Sequence, residues 1–169
     1  MNSRANGFFL MRARAAVIII ENDKIALIER YRSGQHYFVL PGGKVKSGES
    51  PLDAASREAE EELGLKVKIG ALVAEGSYLG APQYYFLAEP ISGMFGYGNG
   101  SEMRNLPGSE KGSYHPVWMA INSINAKPVL PKIMAEFIIK SLKEGWPENP
   151  LIVSDNSTDE EIAVHGDAK

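Results

Sequence analysis

The sequence predicts an α/β fold, with a mixed β-sheet sandwiched between helices as an α/β/α stack. Three observations lead there. Runs of β-branched apolar residues alternate with polar turns in the N-terminal part. A well-signalled helix follows the breaker Pro41-Gly42-Gly43. A second helical pattern lies near the C-terminus, with further strand-like runs between the two.

Ala13 to Ile20 reads as a buried strand. Glu21-Asn22-Asp23 is a polar turn, and Lys24 to Arg30 reads as a second strand, so the two are expected to form a hairpin. Ser33-Gly34-Gln35 breaks the chain before a short strand at His36 to Leu40. In the helix that follows, Ser50 can cap the N-terminus, Pro51 suits the first turn, and Asp53 complements the positive end of the dipole. Gly64 ends it. Leu65 to Ala74 and Gln83 to Glu89 read as strands joined by a turn across Gly76 to Pro82. Ser92 to Gly112, with its repeated glycines, reads as a long loop, and loops of this kind are often functional. Tyr114 to Ala120 is a further strand. Pro131 to Lys143 reads as a helix with Ile133, Met134, Phe137, Ile138 and Leu142 near helical spacing.

A chain of 169 residues suits one domain, expected over residues 1–153, followed by a polar, flexible tail at 154–169. The 21 acidic residues outnumber the 18 basic ones, which argues against a nucleic-acid duplex as partner. A small nucleotide needs only a few local cations. With no cysteine, disulfides, thiolate zinc sites and cysteine nucleophiles are excluded. The longest aliphatic run, Ala15 to Ile20, is too short to span a bilayer, and Arg12 and Arg14 interrupt any signal-peptide core. The expected setting is cytoplasmic, with no membrane partner.

The chemistry concentrates on the first helix. Setting Glu58 at zero, Glu62 falls at about +40° and Glu61 at about −60°. The three carboxylates share one stripe, while Leu52, Ala55, Ala59 and Leu63 form a separate apolar stripe and Glu60 points away. A Glu-rich face taken alone is usually just solvated. Gathered carboxylates repel unless something offsets them, and a hard divalent cation does so directly. Mg²⁺ suits one or two carboxylates plus substrate phosphates, with Mn²⁺ as a substitute. Gly42 and Gly43 let the backbone approach a ligand, and a carbonyl in that turn is a further oxygen donor.

Gly43, Glu49, Arg57, Glu58, Ala59, Glu61, Glu62, Gly64 and Leu65 match the spacing G-x5-E-x7-R-E-U-x-E-E-x-G-U, where U is aliphatic. This pattern resembles the box of the Nudix (MutT-like) hydrolases, with small Ala59 the one soft position. The preceding Leu40-Pro41-Gly42 is similar to the family's lead-in, and the flanking strands fit the fold over roughly residues 12 to 143. The resemblance implies that Glu58 and Glu62 are the main metal ligands, with Glu61 a further ligand or a water-activating group. It implies that the Gly42 carbonyl is a backbone ligand, and that Glu49 and Arg57 brace the loop against the helix. Many members are homodimers, so a homodimer using Phe8 to Met11 is one assembly the resemblance allows.

The implied reaction is attack of water on phosphorus in a substituted nucleoside diphosphate: a nucleoside triphosphate, ADP-ribose or a similar conjugate. The base is open between Glu61, Glu102 and Glu110. Lys44, Arg30 and Arg32 flank the turn and are candidates for phosphate contacts, and Arg12 and Arg14 on one strand face are read the same way, with a solvated surface cation the simpler alternative for each. Phe38, Tyr84, Tyr85 and Phe86 are candidates for base stacking, with a core role as the simpler alternative. His36 and His115 read as structural or exposed. The competing class is a nucleotide-sensing domain that binds without cleaving; such domains commonly lose a box carboxylate, and this chain keeps them all. Removal of a diphosphate from capped RNA ends is a weaker reading, because it calls for a more basic surface. Nothing in the sequence selects the nucleotide.

Overall fold

The computed structural model describes residues 12–100 and 112–153. Phe8 to Met11, Glu102, Glu110 and the tail from Ser154 lie outside the described residues. The strands are β1 (Arg14–Ile18), β2 (Ile20–Glu21), β3 (Lys24–Arg32), β4 (Gln35–Val39), β5 (Gly42–Lys44), β6 (Leu65–Tyr78), β7 (Ala81–Gly93), β8 (Ser113–Ala120), β9 (Val129–Leu130) and β10 (Leu151–Val153). The helices are α1 (Pro51–Leu63) and α2 (Lys132–Glu144), and a 3-10 turn covers Ile121–Ala126.

The strands divide between two five-stranded mixed sheets. One runs β10-β6-β7-β1-β5, with β1 parallel to β7 and antiparallel to β5. The other runs β2-β3-β4-β9, with β8 along the far side of β3. The chain passes from one sheet to the other at Ile19. The expected hairpin of 13–20 with 24–30 is therefore short: only Ile20 and Glu21 pair with Ile25 and Lys24, while β1 crosses to the first sheet. Its apolar run has a different cause. Ala15, Val17, Ile18 and Ile19 are all buried, because β1 is covered on both faces.

Those two faces meet different helices. Ala15, Val17 and Ile19 join Ala26, Ile28, Phe86 and the α1 residues Ala55, Ala59 and Leu63. Ile18 joins Ile25, Leu27, Phe38, Tyr85 and the α2 residues Met134 and Ile138. The molecule is thus layered helix, sheets, helix, as the sequence predicts.

Both helices are rolled relative to the predicted apolar stripes. On α1, Leu52 is 46 % exposed while Ala54 is fully buried. The alanines bring the helix close to β1 and β5, and the inward face turns toward Glu58 and Glu62, leaving Leu52 on the rim. On α2, Ile133 and Leu142 are exposed, and Met134, Ala135, Ile138 and Ser141 are the buried set.

Three tight hairpins have two-residue loops with positive φ at both positions: Asn22-Asp23, Ser33-Gly34 and Leu79-Gly80. This is the geometry that matches strand twist. The turn expected across Gly76 to Pro82 is only Leu79-Gly80, since β6 and β7 stay paired to Tyr78 and Ala81. Leu79 has φ 49°, a costly conformation for a branched apolar residue. Leu79→Asn should stabilise the protein by about 1 kcal/mol, read as a higher urea midpoint at unchanged slope; a lower midpoint would contradict the strain.

Candidate active site

Helix α1 begins and ends as its sequence requires. Ser50 Oγ accepts the Asp53 N–H at 3.1 Å. Gly64 takes φ 77° and donates its N–H to the Glu60 carbonyl. The helix faces β5, which pairs with β1 through Ala16 and Gly42, Ala15 and Gly43, and Arg14 and Lys44. The predicted breaker Pro41-Gly42-Gly43 is therefore in part a strand: Gly42 and Gly43 extend the sheet edge under the helix.

Glu58 and Glu62 are both buried. Glu62 Oε2 accepts the Gly42 N–H at 2.8 Å. A Cβ on Gly43 would stand 2.5 Å from the Glu58 carboxyl carbon, and one on Gly42 would stand 2.7 Å from the Ala16 Cβ. Both glycines are thus needed for close approach: one seats the strand on β1, the other leaves room for a carboxylate. Glu61 is half-buried, and Glu60 is exposed.

Arg57 is the cation at the centre. Its Nε donates to Glu49 Oε2 at 2.8 Å and its Nη2 to Glu49 Oε1 at 3.0 Å, a bidentate pair. Nη1 donates to Glu58 Oε1 at 2.9 Å and to Glu61 Oε2 at 3.0 Å. Nη2 also reaches the Lys44 carbonyl at 2.9 Å. One guanidinium therefore ties the loop carboxylate, the helix carboxylates and β5 together. Glu49 further accepts the Lys46 N–H.

The hydrogen bonds from Arg57 hold the Glu49 carboxyl down at about 2, against an ordinary 4.5. The same bonds push Arg57 upward, with Glu49 the largest contributor. The folded value of Glu49 lies below its unfolded one, so its stabilisation is complete above 4.5 and is lost as pH falls through about 2. Glu49→Gln should flatten the loss of stability across that window in urea unfolding. An unchanged acid limb would exclude Glu49 as a contributor.

The other candidate substrate residues are distributed differently. Lys44 is half-buried on β5, beside the glycine turn. Arg14 Nη2 lies 3.4 Å from the Gly42 carbonyl, the oxygen expected to ligate a metal, so a cation there would share that carbonyl with a guanidinium. Arg12 is exposed. Arg30 is not a free phosphate contact: it is buried, its Nε donates to the Ser113 carbonyl at 3.0 Å, and its guanidinium lies 3.5 Å from the Tyr114 ring centroid. It staples β3 to β8, as a weakly hydrated planar cation can. Arg32 ends β3 opposite Gln35.

Phe38 is buried in the core on the α2 side, as is Tyr85, and Phe86 is buried on the α1 side, so these rings are packing residues rather than a stacking platform. Burial pushes the Tyr85 hydroxyl up to about 12. Tyr84 is half-buried. His36 Nε2 sits 2.8 Å from Glu29 Oε1, and its ring stacks on Tyr31; His115 is exposed. The sequence offers Arg14 as a candidate near the turn but not its contact with the Gly42 carbonyl, and it gives no sign of the Gly42 amide as the partner of Glu62. The only signal for either was the register of two strands that a single sequence does not pair.

Among the described residues, no three acidic or imidazole side chains converge tightly enough to enclose a metal alone. The donor set still fits Mg²⁺. Two buried carboxylates and nearby carbonyls are all hard oxygens, and this cation keeps waters and takes substrate phosphates for the rest of its shell.

A helix of carboxylates braced by one arginine over a glycine strand defines a hydrolase of the Nudix class. Residues 11–140 match the family model described as NUDIX domain, and the chain belongs to that family. It is 28% identical over 123 residues to the Nudix hydrolase YvcI of Bacillus subtilis (strain 168), spanning 68% of this chain and 69% of that protein. It is 42% identical over 57 residues to the RNA pyrophosphohydrolase of Psychromonas ingrahamii, spanning 34% of this chain and 32% of that protein. A crystal structure of a NUDIX hydrolase from Nitrosomonas europaea superposes with a TM-score of 0.65 at 20% identity, covering 86% of this chain and 80% of that one, and shares the fold.

Proposed function

We propose that this chain hydrolyses a phosphoanhydride bond in a nucleoside diphosphate linked to another moiety, with Mg²⁺ bound by Glu58, Glu62, Glu61 and the Gly42 carbonyl. The observation that carries this is the burial of Glu58 and Glu62 side by side over the glycine strand. Burying two carboxylates on one helix face is costly even with Arg57 and the Gly42 N–H as partners, and a bound divalent cation would offset that cost. The similarity to a pyrophosphohydrolase across a 57-residue stretch supports the same chemistry.

When bound, the cation would neutralise phosphate charge and lower the pKa of the attacking water. The chain supplies the rest. Arg57 fixes the rotamers of Glu58 and Glu61. Glu61, the more exposed of the three, is placed to accept a proton from water. Lys44, beside the turn, offers its ammonium to a substrate phosphate. Little covalent chemistry is asked of the protein, so positioning and charge carry the rate.

The test is a panel containing ordinary and oxidised nucleoside triphosphates, ADP-ribose, other nucleoside diphosphate conjugates and 5′-triphosphorylated RNA, each with Mg²⁺. Turnover of a small nucleotide is expected. Tight binding with no turnover anywhere would instead favour a sensing domain, and turnover of RNA alone would move the substrate class. No helix among the described residues is long and apolar enough to cross a membrane.

A further inference from the structure

After β7 the chain folds back onto the helix it has just passed. The Met94 N–H donates to the Gly64 carbonyl at 3.1 Å, the Gly96 N–H to Leu63 at 2.9 Å and the Gly100 N–H to Glu61 at 2.8 Å. These acceptors are the carbonyls of the last turn of α1 and its cap, which find no partner inside a helix. The contact is backbone on backbone. A Cβ on Gly98 would overlap the Glu61 carbonyl and stand 2.8 Å from the Glu62 carbonyl carbon. A Cβ on Gly64 would stand 2.7 Å from the Tyr97 carbonyl carbon.

Side chains contribute little to holding this segment. Met94 is 63% exposed and Tyr97 74% exposed. The exception is Phe95, which stacks on Trp118 of β8 at 4.8 Å and packs against the core beneath α1. The segment is therefore pinned to β8 on one side and to the end of α1 on the other.

We infer that residues 93–100 form a clasp that positions the last turn of α1, and that Gly98 is a positioning residue for the Glu61 and Glu62 carboxylates. Both side chains leave that turn, and Glu62 must reach the Gly42 N–H. A backbone shift there is carried straight to the carboxylates. The catalytic consequence rests on the hydrolytic reading above; the geometric one does not.

Gly98 is outside the left-handed region of the backbone, so Gly98→Ala adds only its Cβ. To restore ordinary contact, the turn or the clasp must give by on the order of 1 Å. The test compares the wild-type chain with Gly98→Ala, Phe95→Ala and the exposed neighbour Asn99→Ala. It reads kcat and KM on the fastest panel substrate, Mn²⁺ affinity by calorimetry, and amide exchange at residues 61–64.

Gly98→Ala should lower kcat about 100-fold, leave KM within about 3-fold and weaken Mn²⁺ binding about 10-fold, with faster exchange at 61–64. Phe95→Ala, which loosens the clasp without crowding it, should move the same readings less, and it decides the matter should Gly98→Ala not fold. Asn99→Ala should match wild type. Folded variants with wild-type kcat and Mn²⁺ affinity, or a loss confined to KM, would overturn the inference. Should the wild type cleave no nucleotide, the hydrolytic reading fails alone, and Mn²⁺ affinity and exchange still decide the clasp.

Discussion

Glu62→Gln is expected to lower turnover by about 10³-fold or more, roughly 4 kcal/mol of transition-state stabilisation, while the protein stays folded. The substitution keeps shape and keeps an oxygen that can accept the Gly42 N–H, so the local hydrogen bond survives. What is lost is a buried negative charge facing the glycine strand. Its effect should appear in kcat and in metal affinity, with the thermal midpoint little changed. Wild-type turnover in this variant would remove Glu62 from the metal set. Unfolding would show that Glu62 acts mainly through its structural bond.

Arg57→Ala should have the largest effect on stability, a loss of about 2–3 kcal/mol. That lies at the low end for a paired charge because the side chain is 21% exposed. Five donor contacts go at once, to Glu49, Glu58, Glu61 and the Lys44 carbonyl. Three carboxylates are then left without their shared cation. Arg57→Lys should recover only part of the loss, since one ammonium cannot bind Glu49 in a bidentate pair and span the helix as well. Urea unfolding of both variants, alone and combined with Glu49→Gln, would show the coupling as non-additivity. A change below about 0.5 kcal/mol for Arg57→Ala would contradict its role as the hub of these contacts.

Much of the site was legible because its chemistry is local in sequence. The span Gly42 to Leu65 holds the glycine strand, the brace and the carboxylate stripe, and helical geometry alone places Glu58, Glu61 and Glu62 together. Capping by Ser50 and Gly64 is equally local. What was not legible depends on long-range pairing. Ala13 to Ile20 looks like one strand, yet its first part pairs with β7 and its last with β3. Nothing in the residues marks Ile19 as the crossing.

Arg30 is a candidate because it flanks the turn in sequence, and Phe38 because its ring could stack on a base. Strand alternation and the neighbours across the sheet decided their fate, sending Arg30 onto Tyr114 and Phe38 into the core. Leu52 misled because a wheel assigns faces but not which face a sheet will cover. The short strands β9 and β10 carry too few residues for any periodicity.

The proposed reaction is attack of water on phosphorus, supported by a cation on Glu58 and Glu62. Its most direct measurement is turnover of the fastest panel substrate in heavy-oxygen water, with and without Mg²⁺, read by mass spectrometry of the products. One heavy oxygen in a single phosphate-bearing product, formed only with the cation and suppressed in Glu62→Gln, is the predicted result. Products without heavy oxygen, or products formed equally without Mg²⁺ and in Glu62→Gln, would contradict it.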